Sequence, residues 1–266
     1  MENTRRNKAL WAFVAAVFCL LMAGCDGEQM STKVTSLKKI GDVPAAEWEA
    51  LSQKKIYFAH QSVGFNIMEG VEGLLQTNKN IGLSVAETRD PPKFDKPVFG
   101  HSTIGENQDP KAKYDDFVSV MKSGLGETVD MAFLKLCYVD LRKIADAKAL
   151  FELHKSTYQQ LEELFPQVRF VHFTVPLTIT QVGPKAFVKK LIGRSVRGFD
   201  DNIKRSQFNQ LLRDEYQGKA PVFDIAKYES VAPDGRQVFF DDGSGKKHEA
   251  MFSGYTTDGG HLNPAG

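Results

Sequence analysis

Five short apolar runs, set apart by longer stretches with helical spacing, constrain this chain more than any other feature. The runs fall at residues 56–59, 81–86, 131–139, 168–175 and 222–225. Each has the length of a buried strand, and continuous rather than alternating apolar character suits a parallel sheet covered on both faces. Between them, residues 65–75, 111–122, 146–165 and 201–216 carry helical patterns. In the last of these Ile203, Phe208, Leu211 and Leu212 share one stripe, the pattern of a helix packed on a core. Strand and helix in repeated alternation predict an α/β fold, a three-layer α/β/α doubly wound parallel sheet of flavodoxin-like type. Ligands of such sheets bind beyond the carboxyl ends of the strands.

The first residues read as a processing signal rather than as part of that fold. Arg5, Arg6 and Lys8 form a basic head, and residues 9–23 form an apolar run shorter than the roughly 18 to 20 residues of a spanning helix. The run closes with Leu21-Met22-Ala23-Gly24-Cys25, which resembles the lipobox of bacterial lipoproteins. The resemblance implies a signal peptide at 1–24, lipidation of Cys25, and anchoring on the periplasmic side of the cell envelope. Asp26 resembles an inner-membrane retention signal for a Gram-negative host. An ordinary cleaved signal peptide and an uncleaved anchor are the alternatives. Residues 25–45 are polar and read as the lipidated N-terminus and a tether, with one domain at 46–266. With Cys19 in the apolar run and Cys25 modified, Cys137 is left alone, so no internal disulfide is expected and the core must hold the fold.

A net charge of +1 for the whole chain gives no basic face for nucleic acid. The sequence has neither a phosphate-binding glycine loop nor clustered Cys/His spacing, so no cofactor and no metal are expected. A metal site from His60, His101 and His261 is conceivable but has no short ligand spacing behind it. Residues 179–200 form a basic insertion with Lys185, Lys189, Lys190, Arg194 and Arg197. It reads as a lid, a contact with an anionic polymer, or a solvated loop.

Two segments carry the chemistry. Asp258-Gly259-Gly260-His261 pairs a carboxylate with an imidazole at a spacing that lets one orient the other. Lys55-Ile56-Tyr57-Phe58-Ala59-His60-Gln61-Ser62 reads as a strand running into a turn with a serine at its tip. Together they predict Ser62 as nucleophile, His261 as general base and Asp258 as its orienting partner. Ser62 has an alternative role as the N-cap of the next helix, and Asp258 and His261 as a loop hydrogen-bond pair.

The order Ser, Asp, His without a Gly-x-Ser-x-Gly elbow, and with the serine just after the first strand, resembles the SGNH/GDSL hydrolase superfamily. The resemblance covers residues 54–266. His60-Gln61-Ser62 stands where that family has Gly-Asp-Ser, while Asp258-Gly259-Gly260-His261-Leu262-Asn263 matches its last block. Phe99-Gly100-His101-Ser102-Thr103-Ile104-Gly105-Glu106-Asn107 resembles the second block. The resemblance therefore implies an oxyanion hole from Ser62 and Gly105, with Gly100 as fallback. In the third block Leu136-Cys137-Tyr138-Val139-Asp140 places valine where the family has an oxyanion-hole asparagine, and Asn107 is the candidate replacement. His60, Gln61, Gly100 and Tyr138 are candidate substrate contacts; His172 reads as a core residue, His154 and His248 as surface residues. The family usually adds a helix after its last block, whereas this sequence stops at Gly266, so either a truncated chain or an unusually free end around His261 is expected.

The implied activity is a serine esterase or acylhydrolase that cleaves an acyl or acetyl ester of a small molecule, glycan or lipid through an acyl-enzyme. An O-acyltransferase with the same triad and a non-catalytic glycan-binding lipoprotein on a degenerate fold are the rivals.

Overall fold

The computed structural model describes residues 29–37, 39–142 and 146–266, so the signal segment, Cys25 and Asp26 lie outside the described residues. In chain order the elements are β1 (Gln29–Val34), α1 (Ala45–Ser52), β2 (Lys55–His60), α2 (Val63–Thr77), β3 (Val85–Glu87), β4 (Val98–Thr103), α3 (Pro110–Val120), β5 (Met131–Leu134), α4 (Ala147–Leu164), β6 (Arg169–Phe170), β7 (His172–Phe173), α5 (Pro184–Leu191), α6 (Phe199–Tyr216), β8 (Val222–Phe223), α7 (Ile225–Ser230), β9 (Arg236–Asp241) and β10 (Lys247–Glu249).

The central sheet is parallel, in the order β3-β4-β2-β5-β6. Val171 alone separates β6 from β7; its amide donates to Ala132 O at 3.1 Å, and β7 pairs in parallel with β8. Without the short edge strand β3, the order is the one that leaves a switch point at the first strand, here β2, between β4 and β5. Ser62 follows β2 directly, at the carboxyl end where a doubly wound sheet opens its crevice.

Successive side chains of β2 feed two cores, as the period of a strand requires. Tyr57 and Ala59 join Tyr114, Phe117, Leu150, Tyr158, Phe208 and Leu212 under α3, α4 and α6. Ile56 and Phe58 join Met68 of α2 with Phe133 and Phe173 on the opposite face. The result is a parallel sheet flanked by helices, with β1, β9 and β10 forming a separate antiparallel sheet.

Several elements differ from the sequence expectation. Strand β4 carries Gly100, His101, Ser102 and Thr103 and shows no apolar run, because its polar groups are satisfied across the sheet: Ser102 Oγ lies 2.9 Å from Tyr57 OH, and His101 Nδ1 lies 2.9 Å from His60 Nε2. The 131–139 run ends as a strand at Leu134, and Tyr138–Leu141 forms a 3-10 turn. Residues Gln29–Val34, read as part of a tether, pair antiparallel with β9. The insertion at 179–200 contains a helix, α5. His154 and His248, expected at the surface, are both buried, since His154 bonds Tyr114 OH and His172, and His248 bonds Asp242.

Candidate active site

The turn after β2 places the serine. Ser62 has φ 49° and ψ −107°, a left-handed conformation that a non-glycine residue adopts only at a cost. Ser62 is the N-cap of α2, yet its side chain makes no capping bond; Oγ lies instead 2.5 Å from His261 Nε2. The serine oxygen is thus directed away from the helix and towards the imidazole.

A second turn places the imidazole. Asp258 Oδ1 accepts from the amides of Gly260 and His261, both at 2.9 Å, and from Thr256 Oγ1 at 3.2 Å. The other oxygen, Oδ2, lies 2.6 Å from His261 Nδ1. With a proton on Nδ1 donated to Asp258, the Nε2 lone pair faces Ser62. Both glycines of the turn are required. Gly259 has φ +89°, and a Cβ there would meet the Arg197 guanidinium at 2.6 Å; at Gly260 a Cβ would meet the Tyr138 ring at 2.7 Å.

The bond from His261, with help from the two amides, holds the Asp258 carboxyl well below the ordinary carboxylate range. The pair is open to solvent, with side-chain exposures of 44% for His261 and 54% for Asp258. Tyr138 stands edge-on to the imidazole at 5.5 Å between ring centroids. Its hydroxyl is 3.4 Å from Nδ1, too far to compete with Asp258, and burial pushes its pKa up.

The second-block residues that follow β4 occupy a loop tied to the Tyr138–Leu141 turn through Lys113 and Asp140. Asn107 Oδ1 accepts from Lys113 Nζ at 2.9 Å, which leaves its Nδ2 end as the donor. The Gly105 amide, expected to face an oxyanion, donates instead to Asp116 Oδ2 at 3.0 Å. The Gln61 amide nitrogen is engaged as well, since Nε2 donates to Ile104 O at 3.1 Å and Gly105 O at 2.9 Å. Val139 sits in the Tyr138–Leu141 turn, where its side chain offers no donor.

Two expected substrate contacts are corrected. His60 has no exposed surface; its Nε2 pairs with His101, and burial, reinforced by His101 and Lys135, pushes its pKa down to about 3. Gly100 is a core glycine whose Cβ would fall 2.2 Å from Phe94 Cζ. Residues that sequence reasoning did not single out for the site are Arg197, whose guanidinium donates to the Asp258 carbonyl, and the buried pair Lys113 and Asp140. A cleft of about 80 Å³ beside Asp258 is lined by Tyr138, Arg142, Thr178, Arg197 and Asp201, among others. A roomier cavity of about 360 Å³, bordered by Arg213, Lys247 and His248, belongs to the β9/β10 side and does not include Ser62, Asp258 or His261.

No protein-family model matches the chain, and no curated protein matches it. Among solved structures it is similar to one from Streptococcus pneumonia described in terms of platelet activating factor, at 15% identity and a TM-score of 0.45, covering 83% of this chain and 84% of that one. It is also similar to the lipopolysaccharide acetyltransferase periplasmic domain of Salmonella ser. Paratyphi A, at 10% identity and a TM-score of 0.44, covering 85% of this chain and 84% of that one.

Proposed function

We propose that this protein is a serine ester hydrolase of the SGNH type. The observation that carries the reading is the continuous relay Ser62 Oγ, His261 Nε2, His261 Nδ1 and Asp258 Oδ2, with contacts of 2.5 Å and 2.6 Å. In the reaction Ser62 Oγ attacks the ester carbonyl carbon as its proton passes to His261 Nε2. The tetrahedral intermediate collapses, the C–O bond to the alcohol breaks, and His261 returns the proton to the departing oxygen. Water then repeats the sequence on the acyl-enzyme and releases the acid. Asp258 holds the tautomer and stabilises the imidazolium.

The oxyanion donors in this reading are the Ser62 amide, at the positive end of α2, and Asn107 Nδ2, with its orientation set by Lys113. The Gly105 amide is already engaged by Asp116 and is not counted among them. A sugar hydroxyl in place of water would make the same acyl-enzyme an O-acyltransferase intermediate. The engaged Gly105 amide and the valine at 139 favour one further reading, a non-catalytic binding protein that lends its cleft to a glycan.

A fluorophosphonate probe and a panel of activated short-chain esters separate the esterase from the binding protein. An adduct on Ser62, lost in Ser62→Ala together with turnover, supports the hydrolase. Wild-type turnover in Ser62→Ala defeats the triad, whereas an inert wild type moves the assignment to the binding protein. We further propose anchoring in the bacterial cell envelope through Cys25. Intact mass of the natural product should show an acylated Cys25, and an unmodified cysteine after signal cleavage would refute it.

A further inference from the structure

Helix α5 presents its apolar side outward. Val188, Leu191 and Ile192 are 51%, 75% and 58% exposed, while Ala186 is buried at 5%. The Ile192 amide still donates to Val188 O at 3.1 Å, so the helical path continues through it. At 3.6 residues per turn the three aliphatic side chains fall within an arc of about 100°, on the side opposite Ala186. The other exposed large apolar residues, such as Leu74 and Leu164, do not recur three within a helical turn.

The same segment is strongly basic in sequence. Residues 179–200 hold five basic residues, Lys185, Lys189, Lys190, Arg194 and Arg197, against one acid, Asp200. That is +4 (5 minus 1) in a chain whose net charge is +1. Both ends of the excursion are pinned to the turn that carries Asp258 and His261. The Ile179 amide donates to Gly259 O at 3.0 Å, the Gln181 amide donates to Arg197 O at 3.0 Å, and Arg197 donates to the Asp258 carbonyl.

From these observations we infer that α5 is a membrane-docking helix that lies in the interface of an anionic phospholipid surface, with Val188, Leu191 and Ile192 entering the acyl boundary. A basic helix with an outward aliphatic stripe binds such a surface by apolar burial together with attraction to anionic headgroups. A soluble anionic polymer would use the charges and leave the aliphatic stripe wet. A second copy of the chain would bring two +4 segments together and is opposed by their repulsion. Docking in this way would place the Asp258/His261 turn next to the membrane. The inference goes beyond the esterase reading and does not require the triad to be active.

The test is amide deuterium exchange of the full chain with vesicles of phosphatidylcholine alone or mixed with phosphatidylglycerol. Because the readout is local to residues 184–192, attachment through the N-terminus does not imitate it. Exchange in this segment should slow by about tenfold or more with the anionic vesicles only, and the effect should shrink in high salt. Val188→Ser, Leu191→Ser and Ile192→Ser combined should abolish the protection with thermal unfolding unchanged. Lys185→Gln, Lys189→Gln and Arg194→Gln combined should weaken it. Unchanged exchange with the anionic vesicles overturns the proposal. So does protection by a soluble polyanion that survives the triple serine variant, or protection that rises with protein concentration when no vesicle is present.

Discussion

Lys113 Nζ lies 2.7 Å from Asp140 Oδ2, with neither side chain exposed to solvent. The pair joins the loop that carries Asn107 and Gln108 to the turn at Tyr138–Leu141. Asp140 also accepts from the Gln108 amide at 2.8 Å and the Cys137 amide at 2.6 Å, while Lys113 holds Asn107 Oδ1. Removing one partner strands a buried charge. Asp140→Asn should therefore lower stability by about 3 to 5 kcal/mol, and the double change Lys113→Met with Asp140→Leu should not recover it, because the Gln108 and Cys137 amides would then lack their acceptor. Denaturant unfolding of the two variants beside wild type checks this. Equal stability of Asp140→Asn and wild type would show that the pair is not holding the loops.

Asn107 tests the proposed oxyanion hole. Asn107→Asp keeps the acceptor for Lys113 and removes the Nδ2 donor, so folding should be preserved. Loss of one such donor costs about 10² to 10³ in turnover, and the loss should appear in kcat far more than in substrate binding. A kcat within about threefold of wild type, for this variant and for Asn107→Ala, would remove Asn107 from the hole.

Asp258→Asn should lower kcat, but by less than the roughly 10⁴-fold seen when a buried triad aspartate is changed. The carboxylate here is 54% exposed, and a charge in contact with water stabilises the imidazolium less than one in a low-dielectric site. We expect a loss of about 10² to 10³. Steady-state kinetics on an activated ester decides it; unchanged kcat would reduce Asp258 to a turn residue.

Ser62→Gly should abolish turnover and raise stability. At φ 49° and ψ −107° the serine backbone stores strain of about 1 kcal/mol or more, which glycine relieves. A melting temperature below that of wild type would contradict the strain.

Buried histidines set the acid limit. His60 is pushed down to about 3 and His172 to about 4, each chiefly by burial, and His101 and His154 are lowered by the same cause. Depressed folded values mean that the unfolded chain takes up these protons first, so the contribution is whole above about pH 6.5 and is lost as pH falls towards 4. Each proton adds a slope of about 1.4 kcal/mol per pH unit. Glu229 acts in the opposite direction. Burial raises its carboxyl to about 8, so its contribution is whole below about pH 4.5 and is lost as pH rises through 8. Urea unfolding from pH 4 to 9 should show the first slope in the wild type, and Glu229→Gln should gain stability relative to it at the alkaline end. A flat profile between pH 6.5 and 5 would contradict the histidine assignment.

The sequence by itself determined what depends on local pattern. Four long helices and the strand ending at His60 were legible, because their apolar periods are set by whether one or two faces must be covered. Asp258 and His261 were also legible as a pair, since three residues of turn suffice to bring carboxylate and imidazole together. Only the tertiary structure decided which groups remain available. It placed Ser62 Oγ on His261 Nε2 across 199 residues of chain, turned His60 and Gly100 into core residues, and committed the Gly105 amide to Asp116. Strand β4 stayed hidden because Ser102 and His101 are tolerable inside a sheet only when Tyr57 and His60 arrive to bond them. A polar group's role depends on the partner it finds, and such partners lie far away in sequence; apolar periodicity carries no record of them.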